Sequence, residues 1–264
     1  MAVSNLAWLI SLSPADRAAL IARLPEHEQI ELMKLLEDEV RYQARTKIDS
    51  FYPEYGPLRR ELYPKHMAFF AAGAVHRERL MLAANRVGKS EGVGGYECTL
   101  HLTGRYPAWW QGRRFDGPVR AWVAGATNET TRDIVQAKLF GAVQWRGNDK
   151  GVTGEGLIPA DAIGDLSWKQ GVSDLIDTAR IRHETGGLSV VGVKSYQQGR
   201  KSFEGTEQDL IWLDEEPPLD VYSECLVRTM TTDGLVLLTF TPLDGMSDVV
   251  MSFLETTQDV RPPS

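Results

Sequence analysis

Two short stretches of this chain carry side chains that could bind and cleave a phosphate anhydride. The first is Ala83-Ala84-Asn85-Arg86-Val87-Gly88-Lys89-Ser90. Gly88, Lys89 and Ser90 match the end of the pattern GxxxxGK[ST], and Ala83 stands where its first glycine belongs. A glycine before the lysine lets successive backbone N–H groups close around phosphate oxygens, and a helix beginning there adds its positive end. Lysine brings a cation to the β- and γ-phosphates, and the serine hydroxyl is a ligand for Mg²⁺. Ala84, Asn85, Arg86 and Val87 would complete the cradle. The leading glycine chiefly eases the turn, so its loss weakens the match without removing a ligand. A GKS tripeptide alone is a weak signal. Its position directly after an apolar run, and before a helix-compatible segment, is the context the motif requires.

The second stretch is Leu210-Ile211-Trp212-Leu213-Asp214-Glu215-Glu216. Four apolar residues suit a buried strand, and the carboxylates then fall at its C-terminal end, the edge where open α/β sheets bind ligands. Hydrolysis of a nucleoside triphosphate needs a carboxylate for Mg²⁺ and a group that orients water. Asp214 fits the first task, through water to the ion that Ser90 holds, and Glu215 fits the second. Glu216 stands either as an alternative catalytic acid or as a charge favoured at the start of the helix that follows Pro217-Pro218. An apolar run ending in Asp-Glu is common at ordinary strand ends. Two half-sites in the correct order carry far more weight than either alone.

The elements that must position these groups alternate. Apolar runs at 79–84, 119–124, 188–193, 210–213 and 235–240 read as strands, with helices expected at 128–140 and from near Pro217. This pattern predicts an α/β fold with a mostly parallel sheet covered by helices on both faces. The glycine-rich stretch 141–178 reads as a long loop or insertion. Residues 1–50 read as helices: Ser13-Pro14 is an N-cap with proline at the first position, and Pro25 separates a second segment carrying Ile30, Leu32, Met33, Leu35, Leu36 and Val40. They form either a hairpin packed on the main body or a docking arm. A connector at 51–64 leads to the core, so the expected division is an appendage at 1–54 and a catalytic domain at 55–264.

Composition sets the broad class. With 42% hydrophobic and 25% charged residues among 264, the chain is of ordinary globular type. Cys98 and Cys225 lie far apart with no CxxC pair, which argues against a disulfide framework or a zinc site. No apolar run approaches the ~20 residues that a bilayer demands. The N-terminus lacks a signal-peptide pattern, so a cytoplasmic protein is expected. The net charge of -7 is unevenly spread: residues 204–264 hold 13 acidic and two basic side chains, leaving the first 203 residues net basic by +4. The average charge neither supports nor excludes a nucleic-acid partner.

Asn85-Arg86-Val87-Gly88-Lys89-Ser90, with arginine in place of a small residue, is similar to the deviant P-loop of phage large terminases. The pair Asp214 and Glu215 fits the same family. Leu238-Thr239-Phe240-Thr241-Pro242 resembles its coupling motif, with Thr241 in the sensing role, and Tyr63-Pro64-Lys65-His66 occupies the place of its adenine-recognition segment. Many relatives carry a glutamine there, where this chain offers Tyr63 and His66. The resemblance covers roughly residues 55–245. It implies a RecA-like, additional-strand P-loop NTPase that hydrolyses ATP with Mg²⁺ and drives double-stranded DNA into a procapsid. The implied partners are the small terminase subunit, the portal protein and further copies of the chain in a ring, in the host cytoplasm. In the family a nuclease domain follows the ATPase; this sequence ends at Arg261-Pro262-Pro263-Ser264 before such a domain, in a form that suits an interdomain linker.

Charge that builds on the γ-phosphoryl oxygens calls for an arginine. Arg86 could act within the same subunit. Arg200, in Gln197-Gln198-Gly199-Arg200-Lys201, resembles the position of a finger acting on a neighbour; a contact to DNA phosphate or a solvated loop are the other readings of that segment. Trp109, Trp110 and Trp122 read as packing residues rather than base-stacking platforms. A helicase-like ATPase or a small-molecule kinase, and an assembly module with a dead nucleotide site, are the competing classes. A kinase has no need of Glu215, and a dead site would be expected to have lost Lys89, Ser90 or Glu215.

Overall fold

The computed structural model describes residue 9 and residues 12–84, 87–242 and 245–258. Nine strands are present among them: β1 (Glu78–Leu82), β2 (Arg120–Gly125), β3 (Val143–Arg146), β4 (Asp149–Val152), β5 (Ile163–Trp168), β6 (Ile176–Arg182), β7 (Leu188–Ser195), β8 (Leu210–Asp214) and β9 (Leu235–Phe240). Seven form one sheet in the order β1-β9-β8-β2-β7-β6-β5, and β3 and β4 form a separate hairpin. The pairs β1–β9, β9–β8, β8–β2 and β2–β7 are parallel, whereas β7–β6 and β6–β5 are antiparallel.

The central strands are apolar on both faces because both faces are covered. Every residue of β8 and β9 is buried. On one side Val123, Trp212 and Leu237 pack with Phe70, Leu100 and Leu139. On the other, Ala124, Leu213 and Leu238 meet Val221, Tyr222, Cys225 and Val249, carried by the helices Leu219–Met230 and Asp248–Gln258. Trp110 and Trp122 are buried and belong to these two cores, as a packing role requires. Cys98 and Cys225 are buried free thiols.

The expected strands and helices are present, with shifts of one or two residues at their ends. The stretch 141–178 departs from expectation. It is not a loop: it supplies β3, β4 and β5 and the first three residues of β6. These strands are short or half-exposed and carry Gly151, Gly164, Asp165 and Ser167, so they lack the continuous apolar run that marks the buried strands. The N-terminal helices Pro14–Ile21 and Glu26–Arg45 also form, the first capped by Ser13, whose hydroxyl accepts from the Asp16 N–H at 3.1 Å. Leu36 is buried, but Leu20, Ile30, Met33 and Leu35 are exposed, so much of the expected inward stripe faces outward.

A buried ionic network joins β1 to the helix Tyr96–Thr103. The Arg79 guanidinium donates to both Glu97 oxygens at 2.6 and 3.0 Å and to the Phe69 carbonyl at 2.8 Å. His101 Nε2 lies 3.1 Å from Glu97 Oε1, and its Nδ1 lies 2.8 Å from the Tyr106 hydroxyl. Burial lowers the His101 pKa, so the neutral ring donates to the carboxylate from Nε2 and accepts from Tyr106 at Nδ1. The Glu97 carboxyl is held below its usual range by Arg79 and His101, against the opposing effect of burial, which is the largest single influence on it.

Removing one partner of such a pair leaves a buried charge uncompensated. Glu97→Ala is therefore expected to lower the unfolding free energy by about 3–5 kcal/mol, read from denaturant midpoints. A loss below about 1 kcal/mol would contradict the network. The pH dependence follows from His101 and His66, whose pKa values are both lowered by burial. Their unfolded values lie near about 6.5, so below that pH the unfolded chain binds protons that the folded chain does not. Stability is expected to fall between pH 7.5 and pH 5.5, and to fall further at lower pH as Glu97 protonates. Chemical denaturation across this range checks the sign.

Candidate functional site

The parallel strands all end on one edge, and the loops that leave it gather the two half-sites. From β1 the chain passes through 83–88 into a π-helical turn, Lys89–Gly95, which continues as the helix Tyr96–Thr103. Gly88 has φ +83°, a left-handed conformation that explains the glycine before the lysine. Its carbonyl accepts from the Gly92 N–H at 2.6 Å, closing the first turn. Asn85 and Arg86 lie outside the described residues, as do residues 259–264. Ala84 and Val87 flank the gap. The Lys89 ammonium donates to the Ala84 carbonyl at 3.4 Å, so it lies along its own loop.

β9 stands between β1 and β8, in register Leu80↔Leu238 and Asp214↔Thr239. Across that one strand the two half-sites approach: the Ser90 hydroxyl lies near enough to the Asp214 carboxylate to pull its pKa down. Asp214 Oδ1 also accepts from the Thr239 hydroxyl at 2.8 Å, and Thr239 in turn accepts from the Trp212 indole N–H at 2.8 Å. Burial pushes the Asp214 carboxyl above its usual range, partly offset by the hydrogen bonds from Ser90 and Thr239 and reinforced by Glu215. A buried acid in this condition gains from a cation placed beside it.

Glu215 follows at φ +67°, an uncommon conformation for a residue with a β-carbon. Its N–H donates to the Thr239 carbonyl at 3.1 Å, and its Oε2 accepts from the Ala126 N–H at 3.2 Å, just beyond β2. The Tyr196 hydroxyl, at the end of β7, lies 2.9 Å from the Asp214 carbonyl and 3.1 Å from that of Glu215. Strained backbone that is fixed from several sides is characteristic of functional positions. Glu216 is half-buried beside it.

Thr241, just past β9, donates to the Ala83 carbonyl at 2.9 Å and so ties the two loops together. It is Thr239 rather than Thr241 that touches Asp214. His66 is buried: its Nδ1 lies 2.8 Å from the Tyr52 hydroxyl, which donates to the Gly92 carbonyl at 2.5 Å. Tyr63 packs edge-on against Tyr52 and tilted over His66. This pair therefore sits behind the loop and braces it. Arg200 is about half exposed; its Nε donates to Glu224 at 3.0 Å, and Arg228 lies 2.9 Å from the other Glu224 oxygen.

Sequence reasoning did not single out Thr239, Trp212, Tyr52 or Tyr196. The available signal was chemical: a buried indole N–H, hydroxyl or phenol must find a partner. Among the described residues no group of three or more His, Cys, Asp or Glu is arranged to hold a metal ion, and no helix is long and apolar enough to cross a membrane.

The family described as "Terminase large subunit, T4likevirus-type, N-terminal" matches residues 80–262. Over 256 residues the chain is 38% identical to the "Terminase, large subunit" of Salmonella phage P22, covering 90% of this chain and 48% of that protein. It is 26% identical over 258 residues to the "Terminase, large subunit" of Enterobacteria phage LP7, covering 90% and 50%. The chain thus spans about half the length of these relatives.

The Tyr196 hydroxyl supplies a structural prediction that needs no assumption about ligands. Tyr196→Phe leaves the Asp214 and Glu215 carbonyls short of a donor and is expected to cost about 1–3 kcal/mol of stability. Equilibrium unfolding measures it, and an unchanged midpoint would remove Tyr196 from the support of this strand end.

Proposed function

The chain belongs to the phage terminase large-subunit family, and from that premise we propose that it is an Mg²⁺-dependent ATPase, the motor domain that drives double-stranded DNA into a procapsid. The observation that carries the reading is the approach of Ser90 to Asp214 across β9, close enough for the hydroxyl to lower the carboxyl pKa, which brings a GKS loop to an acidic strand end. The parallel sheet with β9 between those strands supports assignment to the RecA-like P-loop class.

In this reading the backbone N–H groups of loop 84–90 and the start of the helix that follows hold the phosphates, with the Lys89 ammonium at the β- and γ-positions. The residues present fit Mg²⁺. A hydroxyl and a carboxylate are hard oxygen donors, they face the same site, and an ion of this kind takes its other ligands from water and phosphate. Ser90 would hold it directly and Asp214 through water; when bound it neutralises phosphate charge and polarises the terminal phosphoryl group. Glu215 is the base that orients and polarises water. One of its oxygens is fixed by Ala126, which sets the direction of the other. Thr241 links β9 to the loop and so carries the state of the site toward elements that grip DNA. Arg200, and Arg86 in the loop, are the candidates for stabilising charge on the γ-phosphoryl oxygens. The small terminase subunit, the portal protein and neighbouring copies in a ring are the partners of such a motor.

Glu215→Ala is expected to reduce ATP turnover by about 100-fold or more while nucleotide binding survives. Steady-state hydrolysis and equilibrium binding, each with and without double-stranded DNA, separate the two effects. Turnover equal to that of the unmodified chain would remove Glu215 from its role. If Arg200 acts on a neighbour, specific activity rises with protein concentration and Arg200→Ala abolishes the rise; a concentration-independent rate points to Arg86.

A further inference from the structure

We propose that Trp212 is a positioning residue for the nucleotide–metal site, acting on both half-sites at once. The inference rests on the reading of Ser90 and Asp214 as the metal-holding pair and adds to it the part that sets their geometry.

Trp212 lies in the middle of β8 and is fully buried. An indole N–H can only donate, whereas a threonine hydroxyl has one hydrogen to give and lone pairs to receive. The N–H of Trp212 meets Thr239 Oγ1 at 2.8 Å, and Thr239 Oγ1 lies 2.8 Å from Asp214 Oδ1. Because the indole occupies an acceptor site of the hydroxyl, the single hydrogen of Thr239 is committed to the carboxylate. Thr239 is itself fully buried, so no solvent competes for that hydrogen. The indole thereby fixes the orientation of the group that holds Asp214, which lies two residues along β8 on the same strand face as Trp212.

The ring has a second neighbour. A Cβ added at Gly94 would lie 2.1 Å from Trp212 Nε1, and one at Gly95 would lie 3.5 Å from Cη2. The π-helical turn that begins at Lys89 and carries Ser90 therefore rests with bare backbone on the indole. Trp212 sets how far that turn stands from β8, and so the separation of Ser90 from Asp214. Gly94, which lies outside the P-loop pattern, is required by the ring, whereas Gly95 is crowded by Leu157 and the Ser90 carbonyl.

The test measures ADP binding to the full chain by calorimetry, first in EDTA and then across a Mg²⁺ titration, with folding checked by thermal melts. Trp212→Phe keeps most of the ring and removes the N–H; Thr239→Val keeps the shape and removes the hydroxyl; Thr239→Ser keeps the hydroxyl. Affinity in EDTA is expected to be unchanged in all three. The Mg²⁺ concentration giving half of the enhancement should rise about fivefold in Trp212→Phe and Thr239→Val, the loss expected from one displaced hydrogen bond, and stay near wild type in Thr239→Ser. Should Trp212→Phe not fold, Thr239→Val against Thr239→Ser decides the relay alone. Wild-type Mg²⁺ dependence in both Trp212→Phe and Thr239→Val overturns the proposal, as does a shift in Trp212→Phe with none in Thr239→Val. A wild-type chain whose ADP binding ignores Mg²⁺ overturns the metal-holding reading of Ser90 and Asp214, and this inference with it.

Discussion

The rest of the site depends on a carboxylate taken out of water and held there without a basic partner in hydrogen-bond contact. Asp214 is buried at the end of a strand that is itself buried along its length. Burying a charge is costly unless hydrogen bonds or an opposite charge compensate it. The Thr239 hydroxyl donates to Asp214, and the Ser90 hydroxyl, from a different element, lies near enough to lower its pKa. Hydroxyl donors hold the side chain in one place but do not neutralise it. The site is thus built to keep an acid oriented and electrically unsatisfied, which is the condition in which a divalent cation binds with most gain.

Meeting that condition constrains the surrounding backbone. The helix after the GKS loop must come close enough to β8 for Ser90 to reach across β9, and Gly94, which a side chain would drive into Trp212, permits the approach. The turn there is π-helical rather than α-helical. Such turns are rare and concentrate at functional sites. On the acidic side the strain appears at Glu215, whose left-handed φ turns the chain sharply after Asp214. That conformation persists because the Glu215 N–H, its carbonyl and its carboxylate are each anchored, to Thr239, Tyr196 and Ala126.

The two half-sites were legible because their chemistry is local. Gly88, Lys89 and Ser90 are adjacent in the chain, with the positive-φ turn at the glycine, and a buried strand must be apolar up to the acids at its tip. The five parallel strands were legible for the same reason: strands covered on both faces have no polar alternation to blur them. β3, β4, β5 and β6 were not, since half-exposed strands bearing Gly, Asp and Ser look like loop in one dimension. The N-terminal helices were legible as helices but not in their packing, because the positions of Ile30 and Met33 fit an inward stripe that the structure leaves exposed. Thr239 lies within β9 and Thr241 just past its end, and only the register with β8 tells which faces Asp214. His66 fell in a plausible segment for base contact, yet Tyr52, fourteen residues earlier, claims its ring.

Arg200 shows how a long-range pairing alters the meaning of a loop residue. Its guanidinium meets Glu224, whose side chain is only 4% exposed while that of Arg200 is 55% exposed. The cost of separating the two would fall on the glutamate, since an exposed arginine regains water and a buried carboxylate does not. Arg228 stands on the other side of the same carboxylate at 2.9 Å, one helical turn along, and keeps it paired in charge though not in hydrogen-bond geometry. With Arg228 in place, Arg200 can leave without stranding a naked buried charge. The loop after β7 is therefore tied to the helix that follows the acidic strand by an ion pair whose exposed arginine can give way to water at little cost.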